Sequence, residues 1–285
     1  MKMLKWFIQI SRPRFWIYLF GPFLIGVAAA YNQFDYNLVN TQILLLTGLF
    51  FLFPANLFIY GINDFFDYET DKHNPKKKDY ETLIAPENRK FFTRVLSLIM
   101  LPFITALSFI YATNNTTVAV WAMVGFLFFG AGYSMPPIRA KTKPFLDTFF
   151  NILYIFPGLI SYGIVANSWP PIQIVIAATA WCMAMHAFSA IPDIKSDKKA
   201  KLSTVATVLG KNRTLLFCAL LYALSALLVY PYLGWFSVIA GATYLGLMLI
   251  AYLASVKNDI FVIYKKFPYI NMIVGAYLFF AVLIS

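Results

Sequence analysis

A chain of 285 residues that is 60% hydrophobic and only 12% charged is not a water-soluble domain, whose charged share is about 25%. Its apolar runs recur to the C-terminus, so a signal peptide does not explain them. They are too continuous for the roughly ten-residue alternating strands of a β-barrel. The net charge of +11 is spread over several connections, which argues against a nucleic-acid partner and for a membrane surface lined with anionic headgroups.

Nine stretches reach the roughly 17–25 residues that a helix needs to cross a bilayer: 14–31, 42–62, 91–112, 117–134, 145–166, 172–190, 212–230, 234–254 and 268–284. The expected fold class is therefore an all-α polytopic membrane protein with nine transmembrane helices. All 23 Lys and Arg fall in the N-terminal segment or in the second, fourth, sixth and eighth connections and the helix ends bordering them. By the positive-inside rule this puts the N-terminus and the even connections in the cytoplasm and the C-terminus outside. The expected location is the cell (inner) membrane.

Before the first span, Trp6, Phe7, Ile8 and Ile10 alternate with Lys2, Lys5 and Arg12, an amphipathic pattern expected to lie in the membrane interface. Arg12 and Arg14 flank Pro13 at the entrance of the span. They either anchor topology or contact a phosphate.

The second span runs into the acidic stretch Tyr60–Lys78, YGINDFFDYETDKHNPKKK. On a helix Asn63, Asp67 and Asp71 stand at i, i+4 and i+8 and share a face, with Asp64 close to it. Crowded carboxylates repel one another unless cations neutralise them. Hard divalent cations with oxygen ligands do this, and Mg²⁺ commonly brings substrate phosphates. His73-Asn74-Pro75 then ends the helix; His73 reads as a turn residue. Eleven of the twelve acids lie on the side assigned to the cytoplasm, seven of them between Asp64 and Glu87, an excess that topology does not require.

After the fourth span, Gly132 to Pro144 (GYSMPPIRAKTKP) reads as an extended path on which Arg139, Lys141 and Lys143 alternate to one side. That suits a phosphate clamp, although topology alone accounts for the same charges. Asp147 opens the fifth span and Asn151 follows one turn later. An ionisable residue in a span is a functional candidate, and Asp147 is also placed to act as an anion at a helix N-terminus. After the sixth span, Asp193 and Asp197 repeat the spacing of Asp67 and Asp71, again followed by lysines, Lys198 among them. The chain thus reads as one domain, 1–285, of two pseudo-repeats, about 14–134 and 145–254, plus a ninth helix. Cys182 and Cys218 lie inside spans, and neither a disulfide framework nor a metal-ligand spacing is indicated.

Two acidic clusters at the same membrane edge suit Mg²⁺ ions bridging diphosphate oxygens and neutralising a leaving group, with basic loops completing the clamp. A diphosphate head at the water edge and a hydrocarbon tail among the helices describe a polyprenyl or dimethylallyl diphosphate. No Ser-His-Asp arrangement, CxxC, HExxH or nucleotide-binding GxxxxGK[ST] loop is present. A transporter would also show intramembrane acids and repeats, but these acids sit at the rim. A lipid phosphatase or phosphotransferase could use the same metal–diphosphate logic without an acceptor.

NDxxDxxxD from Asn63 to Asp71 and DxxxD from Asp193 to Asp197 resemble the paired motifs of the UbiA-type intramembrane prenyltransferases, and the topology matches along the whole chain. The resemblance implies a nine-helix bundle and a cytoplasmic, Mg²⁺-dependent active site. It implies that Asn63, Asp67 and Asp71 hold one ion, Asp193 and Asp197 another, and that Asp64 supports them. Tyr133 with Arg139 would bind the diphosphate, joined by Lys141, Lys143 and Lys198; Arg14, Asp147 and Asn151 would serve a hydrophobic acceptor, and membrane lipids would surround the bundle. YSMPPIRAKTKPFLD and LYIFPGLISY look most like the carotenoid branch, the lycopene elongases. An aromatic quinone precursor of hydroxybenzoate or naphthoate type is the other acceptor class.

Overall fold

The computed structural model describes residues 2–31, 33–34, 37–71, 82–256 and 260–284. Among them there are helices and no strand. We number the helices α1 (Lys2–Ile10), α2 (Ile17–Tyr31), α3 (Leu38–Leu52), α4 (Pro54–Asp71), α5 (Arg89–Thr113), α6 (Thr117–Ser134), α7 (Leu146–Phe149), α8 (Phe156–Ala166), α9 (Ile172–Ala190), α10 (Ile194–Lys199), α11 (Val205–Leu233), α12 (Trp235–Val256) and α13 (Ile260–Ile284). Seven unbroken stretches are long and apolar enough to cross a membrane. Two bent pairs, Met3–Phe15 with Ile17–Tyr31 (58°) and Leu146–Tyr154 with Phe156–Ala166 (41°), bring the number to nine if each is one span. Nine crossings agree with the nine runs read from the sequence.

The chain divides into two compact units, Met1–Arg139 with Phe156–Trp169, and Ala140–Ile155 with Pro170–Ser285. The fifth span is thus shared: α7 and the 3-10 segment after it belong to the second unit, α8 to the first.

In the first unit α3 and α4 form one crossing, Leu38–Tyr68, interrupted at Phe53. Pro54 has no N–H to give to the preceding turn. The buried Asn56 amide instead donates to Phe51 O (2.8 Å) and Leu52 O (3.2 Å), satisfying carbonyls that would otherwise be orphaned in an apolar medium. Phe50, Phe51 and Phe126 meet edge to face beside this break, Phe51 and Phe126 at 5.2 Å. The amphipathic helix α1 forms as expected, but its apolar face meets protein in part. Phe7 and Ile10 are buried with Leu57 of α4, Ile84 and Phe92 of α5, while Met3 and Leu4 remain exposed, so part of this face packs on protein.

Helices α2 and α8 approach most closely where both carry glycine. Ser161 Oγ donates to Phe23 O (2.8 Å), and a Cβ added to Gly26 would collide with Gly158 O and Ser161 Oγ. Small residues that let backbones approach are a regular means of helix association in bilayers. Gly26→Ala is therefore expected to cost about 2 kcal/mol, the typical penalty of overpacking. Gly246→Ala, where nothing lies within 4 Å of the new Cβ, should cost nothing. Thermal unfolding of the detergent-solubilised variants checks both.

In the second unit α9 packs along α11, and α11 along α12. Tyr222 and Tyr244 stack at 4.3 Å, and Tyr244 Oη donates to Asn271 Oδ1 (2.9 Å), which carries the contact to α13. Gly210, with φ of 72°, breaks α11 in a region where glycine is favoured. The span read as 212–230 begins just beyond it. Cys182 and Cys218 are buried free thiols, as the sequence suggested.

Candidate active site

Helix α4 runs unbroken to Asp71, so the i, i+4, i+8 register of Asn63, Asp67 and Asp71 holds in the backbone. The Asp71 side chain, and His73 with the lysines after it, lie outside the described residues. Asn63 Oδ1 accepts from Ser134 Oγ at 2.9 Å, across 71 residues of sequence. Asp67 is 4% exposed, and its Oδ1 lies 3.8 Å from Arg139 Nη2, an ion pair rather than a hydrogen bond. The end of α6 and the residues after it therefore face the acidic surface of α4 inside one unit.

Asp64 is fully buried. Its Oδ1 accepts a charge-assisted hydrogen bond from Arg12 Nη2 at 2.6 Å. The Arg12 guanidinium also lies 4.9 Å from the centre of the Tyr60 ring. Arg12 reaches this position because its φ is 51° and the 3-10 turn Pro13–Phe15 follows. Sequence reasoning weighed Arg12 as a topology anchor or a phosphate contact, not as the partner of Asp64, and gave Ser134 no role. The only available signal for Arg12 was its position beside Pro13. Arg14 stacks on its neighbour Phe15 at 4.5 Å.

The basic residues after α6 do not alternate along an extended strand. Arg139 has φ of 44°, Ala140–Thr142 form a 3-10 turn, and Lys143 N donates to Ala140 O. The backbone there is thus turned, not the extended path that the alternation of Arg139, Lys141 and Lys143 assumed. Tyr133 is half-buried in the last turn of α6.

In the second unit Asp193 ends the 3-10 turn Ile191–Asp193, and Asp197 lies in the first turn of α10. Both are half-buried, and Lys198 is exposed. Ser196 Oγ donates to Asp193 O (2.9 Å). Asp147 is fully buried. Its Oδ2 accepts from Val205 N (2.9 Å), the first residue of α11, so it is the anion at the N-terminus of a different helix from its own. His186 Nε2 is 4.0 Å from the same oxygen. Asn151 donates to Asp147 O (2.7 Å). These contacts tie α7, α9 and α11 together.

Among the described residues no three His, Cys, Asp or Glu side chains gather closely enough to hold a metal by themselves. The donor set of each motif is nevertheless all oxygen, Asn63 and Asp67 in one unit, Asp193 and Asp197 in the other. That chemistry suits Mg²⁺, which keeps waters and shares substrate phosphates rather than filling a cage of protein ligands.

The profile of the UbiA prenyltransferase family matches residues 19–261. The chain belongs to the UbiA prenyltransferase family. As a UbiA protein it is a prenyltransferase and an integral membrane protein. It is 36% identical over 273 residues to a lycopene elongase/hydratase of Haloarcula japonica, covering 96% of this chain and 89% of the relative. It is 38% identical over 274 residues to the lycopene elongase/hydratase of Haloferax volcanii, covering 93% and 84%. The solved structure of a UbiA homologue from Archaeoglobus fulgidus bound to DMAPP and Mg²⁺ aligns with a TM-score of 0.67 over 98% of this chain and 99% of that one. At 22% identity that likeness is one of UbiA fold.

Proposed function

We propose that this UbiA protein transfers a prenyl group from an allylic diphosphate, dimethylallyl diphosphate in particular, to a carotenoid within the membrane. The observation that carries the diphosphate half is the buried Asp67 beside Arg139 on a helix face that also presents Asn63. Carboxylate and cation side by side at the end of a span are what a metal-bound diphosphate needs. Asn63 and Asp67, with Asp71, would hold one Mg²⁺, and Asp193 and Asp197 a second. When bound, Mg²⁺ neutralises charge on the diphosphate as it leaves. Arg139 contributes fixed positive charge where negative charge develops. Arg12 holds Asp64 and keeps the α4 face in register. The C1–O bond of the donor breaks and diphosphate leaves. An acceptor double bond supplies the electron pair for the new C–C bond, and the cation left on the acceptor is discharged by loss of a proton to water or to the departing diphosphate.

The acceptor assignment is supported by the identity to proteins named lycopene elongase/hydratase over nine-tenths of the chain. A benzoate-type acceptor would need a cation for its carboxylate, and Arg14, beside Phe15 at the start of the first span, is the residue placed for that. The test offers purified enzyme in lipid, with Mg²⁺ and dimethylallyl diphosphate, either lycopene or 4-hydroxybenzoate. The expected product is an elongated carotenoid. Prenylated benzoate with lycopene untouched defeats the carotenoid assignment, and loss of that benzoate product in Arg14→Ala then locates the carboxylate site.

A further inference from the structure

The third span, Pro86–Thr113, is the barest of the seven unbroken ones: 17% of its apolar 18-residue stretch is buried. Its N-terminal half lines an open groove of about 730 Å³. Two neighbouring ridges of α5 form the wall. One carries Arg89, Thr93, Ser97 and Leu101; the other carries Lys90, Arg94, Leu98 and Pro102. Both run cationic, then polar or apolar, then fully apolar along the axis. At 1.5 Å per residue the gradient extends about 18 Å, the length of a phospholipid headgroup with the upper part of its chains.

Phe65 of α4 closes the other side, and the Arg89 guanidinium lies 4.9 Å from the centre of its ring. That stacking orients a cation that still has donors to give. Arg89 Nε is buried and makes no hydrogen bond among the described residues. Lys90 and Arg94 are exposed. The positive end of a 25-residue helix dipole adds to the same field. Glu87 is the one acid among the described residues immediately before this helix end. The lower wall is open apolar surface, with Leu98 at 73% and Leu101 at 62% exposed.

We propose that this groove is a binding site for an anionic phospholipid, its phosphate held by Arg89, Lys90 and Arg94 and its acyl chains laid along Leu98, Leu101 and Pro102. The positive-inside rule puts the cationic end in the cytoplasmic leaflet, where basic residues bordering a span meet anionic headgroups. The site is separate from the acidic face of α4 that carries Asn63 and Asp67, and it does not depend on the identity of the acceptor. Its consequence is selective retention of a lipid at the end of α5 that packs against α4 and α1.

The test uses the full chain in detergent, titrated with dioleoylphosphatidylglycerol or dioleoylphosphatidylcholine, with bound lipid read by native mass spectrometry. The wild-type protein is expected to retain phosphatidylglycerol about a hundredfold better, since each of the three cations near an anionic headgroup adds about fivefold. Arg89→Gln/Lys90→Gln/Arg94→Gln should abolish the preference. Lys90→Glu, a single exposed change that leaves the Arg89–Phe65 contact intact, should lower it several-fold. Lys265→Gln, in the second turn of α13, should leave it unchanged. Excess inorganic phosphate should not displace the lipid, because it lacks the apolar half. Equal retention of the two lipids by the wild type, an unchanged preference in Lys90→Glu, or displacement by phosphate overturns the proposal.

Discussion

Asp67→Ala and Asp193→Ala are each expected to remove prenyl transfer almost completely while the protein still inserts and purifies. Asp67 is a buried carboxylate facing Arg139 at 3.8 Å, and Asp193 is half-buried at the end of a short 3-10 turn. Neither substitution removes a large packed side chain, so the expected loss lies in the chemistry. In the proposed assignment each acid would supply an oxygen to a Mg²⁺ that neutralises charge on the diphosphate, and withdrawing such electrostatic stabilisation commonly costs 10²–10³ in rate or more. The two variants should resemble the wild-type enzyme assayed in excess chelator. Turnover is measured with labelled dimethylallyl diphosphate. Near-normal rates in either variant, or undiminished wild-type turnover in chelator, would remove these residues from the metal assignment.

Arg12→Met should be the most destabilising single change at the site. Asp64 is fully buried and loses a 2.6 Å charge-assisted bond. Removing one partner of a buried ion pair leaves a charge that the surroundings compensate poorly, at a cost of about 3–5 kcal/mol. The methionine keeps most of the volume, so packing against Tyr60 is largely retained and the effect reports on charge. Arg12→Met/Asp64→Leu should recover much of the loss, because replacing both partners by apolar side chains is often close to neutral. Thermal unfolding of the four proteins of this double-mutant cycle measures the coupling. A coupling near zero would mean that the contact does not hold the first span to α4.

Legibility followed the range over which each signal acts. Apolar run length is a local quantity set by bilayer thickness, so nine crossings could be counted from residue types alone. The common face of Asn63 and Asp67 was legible because helix periodicity converts spacing into direction, and α4 runs straight through the motif. The same reasoning failed after α6. Alternation was read as an extended path, whereas Arg139 has a positive φ and Ala140–Thr142 form a 3-10 turn. Prolines signalled that the helix ends but not which way the chain turns next. Amphipathicity likewise predicted α1 without saying what its apolar face meets. Lipid tails and the side chains Leu57, Ile84 and Phe92 are equally apolar partners, and the pattern of one segment does not distinguish them.

The amino-acid sequence by itself determined a helical membrane protein, nine apolar runs long enough to cross, a charge asymmetry along the chain, and two acidic motifs rich in oxygen donors. These follow from composition and from periods of a few residues. Only the tertiary structure decided that Arg12 holds Asp64 across 52 positions, that Ser134 meets Asn63 across 71, and that Asp147 caps α11 through Val205, 58 positions away. The physical reason is that a polar group excluded from water must find a partner, but its own spacing does not name which one. That choice is made when the helices pack and bring distant ends of the chain together.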